Sequence, residues 1–194
     1  MSDALRLFVG IDVGPIWTEH LRSTADLLAE TLQSSGRWVR PELYHVTVLF
    51  LGNQPAEAVP KITTALTAAC SSFRPYPLRL REVVRFGRHE NGALVAAVDD
   101  PTGNLQRLRA RLDDELRRQR IDFDARGLVP HVTLVRPRRG SGPLPATPID
   151  LRQSPPLEVS ELQLVRSDLL PAGPKYQSIA TAPLGFRYPT TSPC

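Results

Sequence analysis

Apolar and polar residues recur along this chain with two periods, and the switches between them fall at glycine, proline and Asx positions. Short runs rich in Val, Leu and Ile, alternating or continuous, predict strands near residues 5–12, 43–51, 78–86, 92–98, 129–136, 158–167 and 175–182. Between them the period lengthens. Trp17, Leu21, Ala25, Leu28 and Leu32 share one face of a helix over 15–34, with Gly36 placed to stop it. Val59, Ile62, Leu66, Ala69 and Phe73 mark a second helix. A third follows Thr102, with Leu105, Leu108, Leu112 and Leu116 on one face and arginines elsewhere. His89-Glu90-Asn91-Gly92 reads as a hairpin turn, because Asn-Gly readily takes the positive φ values of a tight turn. Strands interleaved with helices predict an α/β or α+β sandwich, with helices on one sheet face and the other face open as a cleft. Residues 137–156 form the clear irregular stretch, a linker or a loop over the site, and residues 187–194 form a polar tail.

One phrase occurs twice: His45-Val46-Thr47-Val48 and His131-Val132-Thr133-Leu134, each inside an apolar run. Residues two apart in a strand point to the same face, so each phrase presents an imidazole and a hydroxyl side by side from an apolar ribbon. The offset of 86 also relates Pro15 to Pro101 and Val9 to Val95, which predicts an internal repeat of a strand, helix and strand unit. Two such ribbons facing each other supply an acid, a base and two neutral hydrogen-bond donors. His20 and His89 have no such partner and read as surface residues.

The 194 residues suffice for one substantial core or two small lobes sharing one. An apolar content of 41% with 23% charged residues describes an ordinary globular protein, and a net charge of +4 fits an anionic substrate. No apolar stretch has the length of a membrane span, and the chain opens on a strand rather than on a basic leader and apolar signal core, so the expected location is cytoplasmic. Cys70 and Cys194 belong to no ligand-spaced cluster and read as structural thiols. A catalytic zinc site takes three protein ligands, and no HExxH, CxxC or carboxylate cluster accompanies the two histidines.

The run Trp38-Val39-Arg40-Pro41-Glu42-Leu43-Tyr44-His45-Val46-Thr47-Val48-Leu49-Phe50-Leu51-Gly52, after Arg6-Leu7-Phe8-Val9-Gly10-Ile11, resembles the opening of the RNA 2′,3′-cyclic phosphodiesterases, or 2′-5′ RNA ligases, of the two-histidine phosphoesterase superfamily. Pro130-His131-Val132-Thr133-Leu134-Val135-Arg136 resembles that family's second motif, and Gly173-Pro174-Lys175-Tyr176 its C-terminal segment. The resemblance implies an α+β fold over residues 1–186: two pseudo-symmetric lobes of antiparallel sheet with outer helices around a central cleft. It implies hydrolysis of an RNA 2′,3′-cyclic phosphate end to a 2′-phosphate, with 2′-5′ joining as the reverse type of reaction, without metal or cofactor. A monomer is expected, because the cleft needs no second chain. By the same resemblance His45 is the proton donor to the leaving oxygen and His131 the proton acceptor from water, roles that the nearly symmetric motifs do not themselves assign. Thr47 and Thr133 are expected to donate to the non-bridging phosphate oxygens. Arg136 stands where relatives hold the phosphate with an arginine, although strict alternation from His131 puts it on the opposite face unless the strand bends near Pro137. Phe8 and Tyr176 either shape the nucleoside pocket or belong to the core. Three rivals remain at this stage: a metal hydrolase, a non-catalytic RNA-binding module, and a phosphodiesterase of small cyclic nucleotides or 2′-5′ oligonucleotides.

Overall fold

The computed structural model describes residues 4–32, 36–87, 92–138, 144, 148–171 and 173–185. Strand β1 (Ala4–Asp12) runs into helix α1 (Gly14–Leu32), and a short strand β2 (Gly36–Trp38) and a 3-10 turn at Pro41–Leu43 lead to β3 (His45–Pro55). Helix α2 (Val59–Cys70) connects to β4 (Tyr76–Phe86) and β5 (Ala93–Asp99), and α3 (Asn104–Arg118) to β6 (His131–Pro137). Strands β7 (Leu157–Val159), β8 (Glu161–Leu170) and β9 (Gly173–Pro183) complete the order. One sheet has the strand order β3-β1-β8-β9 and the other β2-β6-β5-β4-β7, and the strands pair antiparallel throughout. This is the expected α+β, two-lobed architecture.

The repeat is visible in the elements. Helices α1 and α3 end at Leu32 and Arg118, and β3 and β6 begin at His45 and His131, each pair 86 residues apart. In each copy the first strand lies antiparallel beside the histidine strand: β1 beside β3, and β5 beside β6. The predicted helical stripes are the buried ones. Trp17, Leu21 and Leu28 of α1 and Leu105, Leu108, Leu112 and Leu116 of α3 are at most 2% exposed and join one core cluster that takes in both sheets. Cys70 is fully buried in that cluster, and burial pushes its thiol up to about 12, so it is inert at neutral pH.

Two departures from the sequence reading have physical causes. Gly36 does not merely end α1; it opens β2, which pairs with β6 so closely that a Cβ at Gly36 would collide with the Val135 side chain. The single strand expected near 158–167 is two strands in different sheets, β7 on β4 and β8 on β1, with the chain crossing between lobes at Ser160. Buried Val159 and Leu162 flank that crossing three residues apart, out of step with one strand.

The Asn91-Gly92 turn and the tail from 187 fall outside the described residues, Gly92 excepted, as do residues 139–143. In the irregular stretch, the described residues 148–156 run beside β4. There Val83 N–H donates to Ile149 O and Leu151 N–H to Arg81 O, so this part is docked on the sheet rather than laid over the cleft.

Candidate active site

His45 and Thr47 open β3, and His131 and Thr133 open β6. In both strands the intervening residues, Val46 and Val48 or Val132 and Leu134, are buried, and the histidines and threonines are half-buried on the other face. That face lines a cleft of about 1140 Å³ between the sheets, which all four residues share. The volume exceeds what a drug-sized ligand needs.

Each imidazole is held in the same way. Nδ1 of His45 lies 2.7 Å from Leu43 O, and Nδ1 of His131 lies 2.7 Å from Val129 O. A carbonyl oxygen only accepts, so Nδ1 donates in both rings and Nε2 is left to exchange a proton. Each ring also rests on a phenyl group: Phe8 against His45 with centroids 4.8 Å apart, and Phe86 stacked on His131 at 4.2 Å. Tyr176 meets the His45 ring edge-on at 5.2 Å.

The electrostatics favour neutral imidazoles. Burial lowers the pKa of His45 below its ordinary value, the Leu43 carbonyl works against that, and the charges of Arg136 and His131 lower it further. His131 is lowered by burial first, then by Arg136, with the Val129 carbonyl opposing.

Arg136 reaches this face through a β-bulge. Leu94 pairs with Val135 but Val95 pairs with Thr133, so Leu134 is an extra residue and the alternation slips by one. Leu134 and Val135 are therefore both buried, and Arg136 lines the cleft beside Thr133. This is the bend that the sequence reading required. The first motif carries the same device. Val9 pairs with Leu49 and Gly10 with Thr47, leaving Val48 extra. The slip brings Phe50, 45% exposed, into the cleft at the position 86 residues before Arg136. Twin bulges thus place an aromatic ring on one wall and a guanidinium on the other.

The first bulge is fastened by α3, which packs against α2, the helix that covers β8 and β9 of the same sheet. Arg109 of α3, 6% exposed, donates to Val48 O at 2.9 Å and to Asp124 O at 2.9 Å, and its Nε lies 2.7 Å from the Asp113 carboxylate. The loop held this way also pairs with β3 directly: Asp124 N–H donates to Phe50 O, and the Gln54 side chain donates to Leu51 O and Asp122 O. The edge of β3 is thereby covered by the segment that leads from α3 toward β6.

The structure brings together every residue singled out from the sequence: His45, Thr47, His131, Thr133, Arg136, Phe8 and Tyr176 all line the cleft. Phe8, however, is 3% exposed and enclosed by His45, Phe50 and Tyr176, so it has almost no surface to offer a base and supports the His45 ring instead. Sequence reasoning missed Phe50, Phe86 and Arg109. Only Phe50 had a signal, its repeat offset from Arg136. No group of three or more His, Cys, Asp or Glu side chains suited to a metal ion occurs among the described residues. No helix among them is long and apolar enough to cross a membrane.

Two antiparallel sheets facing across a cleft, each contributing one histidine and threonine pair, define a bilobal two-histidine fold. The chain belongs to the 2′-5′ RNA ligase superfamily, whose family model matches residues 18–169. It is 28% identical over 151 residues to an RNA 2′,3′-cyclic phosphodiesterase of Geobacillus stearothermophilus, covering 76% of this chain and 47% of that protein, so it spans about half of that relative's length. It is 26% identical over 178 residues to an RNA 2′,3′-cyclic phosphodiesterase of Thermotoga maritima, covering 89% of this chain and 92% of the relative. The apo crystal structure of E. coli LigT has the same fold, with a TM-score of 0.76 at 20% identity over 95% of this chain and all of that one.

Proposed function

We propose that this protein opens the 2′,3′-cyclic phosphate at the end of an RNA strand, leaving a 2′-phosphate, by metal-independent acid–base catalysis. The observation that carries this reading is the pair of imidazoles in one cleft, each with Nδ1 committed to a backbone carbonyl and Nε2 free. Ring opening needs a proton for the departing ribose 3′ oxygen and removal of one from the attacking water on the far side of phosphorus. His45 donates the first proton and His131 accepts the second. The family membership and the two cyclic phosphodiesterase relatives support that assignment of reaction.

The Thr47 and Thr133 hydroxyls donate to the non-bridging oxygens, and Arg136 balances the charge that gathers there as the transition state forms. The arriving cyclic phosphodiester monoanion raises the depressed pKa values of the histidines, so substrate itself charges the acid. Phe50 presents an open aromatic face for the terminal base. Tyr176 closes the pocket beside His45. With a 5′-hydroxyl in place of water, the same two transfers form a 2′-5′ linkage. One chain supplies every group, in keeping with a monomer.

The test is hydrolysis of a short RNA ending in a 2′,3′-cyclic phosphate in excess chelator, with the position of the product phosphate determined. Turnover to the 2′-phosphate is expected, and His45→Ala and His131→Ala should each lower kcat on the order of 10²–10⁴-fold. Loss of activity in chelator, or full activity in either variant, would defeat the proposal.

A further inference from the structure

Strand β1 is paired with β3 along its whole length, Ala4 to Asp12, but with β8 only from Leu7 to Gly10. Strand β8 nevertheless continues, paired to β9, as far as Leu170 opposite Gly173. Beyond Leu7 and Arg166 the β8–β9 hairpin therefore parts from the start of β1, and the sheet splits. A notch of about 670 Å³ opens there, with Ala4, Arg6 and Asn53 on one bank and Ser167, Leu169 and Lys175 on the other. Arg6, Asn53, Ser167 and Leu169 also line the histidine cleft, so notch and cleft are one continuous groove.

The chemistry of the notch differs from that of the cleft. Arg166 is neutralised by Asp168 at 2.8 Å, whereas Arg6 and Lys175 take part in none of the ion pairs among the described residues. Both are exposed. Two unpaired cations thus stand along a groove that also carries the exposed side chains of Leu169, 68% exposed, and Leu170, 51% exposed. Each bank is a strand edge whose backbone groups lack a partner strand on the notch side, a source of donors for phosphate and sugar oxygens. Arg6 sits at the junction, close enough to Tyr176 for its charge to oppose the rise that burial imposes on that phenol.

We propose that the notch binds the RNA strand on the 5′ side of the reacting nucleotide, with Arg6 and Lys175 on its backbone phosphates and Leu169 and Leu170 against a base. The inference rests on the reading of the cleft as a cyclic phosphodiesterase site. A 2′,3′-cyclic phosphate occupies both ribose hydroxyls, so the rest of the strand leaves only through the 5′ oxygen and needs a path out of the cleft. An electropositive groove with apolar ledges is the chemistry a single strand calls for. The substrate class is therefore oligonucleotide ends rather than free cyclic mononucleotides.

Two measurements test this. In the first, kcat/KM is compared for a 2′,3′-cyclic mononucleotide and for RNAs of two to six nucleotides with the same cyclic end. The wild-type protein should favour the hexamer by about tenfold or more, the worth of one charged contact or better. In Arg6→Gln/Lys175→Gln the ratio of hexamer to mononucleotide should collapse toward one. In the second, binding of a hexamer ending in a 2′-phosphate is followed by fluorescence anisotropy across salt concentrations. Loss of two phosphate contacts should make the log–log slope shallower by about 1.4.

A wild-type ratio near one, or a ratio and slope unchanged in the double variant, overturns the notch while leaving the catalytic reading intact. Absence of turnover on every length, with the slope difference present, does the reverse: it sustains the notch and removes the proposed reaction.

Discussion

At the scale of single residues, the arrangement turns on Arg136, which stands near enough to both imidazoles to lower both pKa values, in addition to the lowering by burial. In the free protein both histidines therefore titrate below the ordinary value near 6.5. The acid limb of kcat/KM reports the base, which must lose its proton, and the alkaline limb reports the acid, which must keep its own. Both limbs should lie on the acid side of the bell expected from unperturbed histidines. In Arg136→Gln the cation that disfavours imidazolium is gone, both pKa values rise, and the whole bell should move to higher pH. The same change removes charge stabilisation and should lower kcat on the order of 10²–10³-fold. A pH–rate profile of the variant decides it: a bell that keeps its position, or moves toward acid, would show that Arg136 does not act on the histidines. The site was legible in the sequence where chemistry coincided with repetition, because His45, Thr47, His131 and Thr133 each have a twin 86 residues away. Phe50 has a twin too, but its twin is Arg136, and a pair unlike in chemistry does not announce itself as a pair. Phe8 was visible as a residue and not as a contact, since only the fold reveals that its face is covered by His45 and Tyr176.

At the scale of elements, the strands and helices followed from periodicity, and what escaped was whatever depends on a partner strand. A bulge adds one residue to one strand, so Val48 and Leu134 look like ordinary apolar positions until the register to β1 and β5 is known. Strand β2 has three residues and exists only because β6 lies beside it. Arg109 was hidden among the other arginines of α3, although it alone among them is buried and holds the β3 bulge. Replacing it by methionine keeps length and apolar stem but leaves Val48 O and Asp124 O without this donor and the Asp113 carboxylate without its cation. The expected cost is about 3 kcal/mol, the usual consequence of removing one partner from a buried charged network. Urea unfolding should show a lower midpoint at an unchanged m value, with Arg109→Lys recovering part of the loss. A change under about 1 kcal/mol, the worth of a single neutral hydrogen bond, would mean that the bulge and the loop at 122–126 hold without it.

At the scale of the whole molecule, the lobes are not successive segments of chain. The first sheet takes β1, β3, β8 and β9, and the second takes β2 and β4 to β7, so the backbone crosses between them repeatedly. The second sheet is complete only with β7, and the first only when β8 has returned to β1 and β9 has joined it. The helices are exchanged as well. Helix α1 follows β1 but packs against β6 of the second sheet, its Trp17 Nε1–H donating to Pro155 O at 2.8 Å just ahead of β7. Helix α3 follows β5 but packs on α2, which covers β8 and β9 of the first sheet, its Arg109 donating to Val48 O of β3. The buried residues of both sheets form one core cluster. A cleft whose acid and base come from different sheets needs this, because a hinge that let the lobes drift by even an ångström would separate the two proton transfers from one phosphorus. The lobes should therefore unfold together. In Trp38→Phe the remaining tryptophan, Trp17, reports α1 from a site 1% exposed, while far-UV circular dichroism reports both sheets and all helices. Urea transitions followed by the two signals should superimpose, as for a single cooperative unit. If Trp17 fluorescence instead moved at a separate midpoint, the lobes would be independent bodies, and the fixed spacing of His45 and His131 would have to come from the bound substrate rather than from the fold.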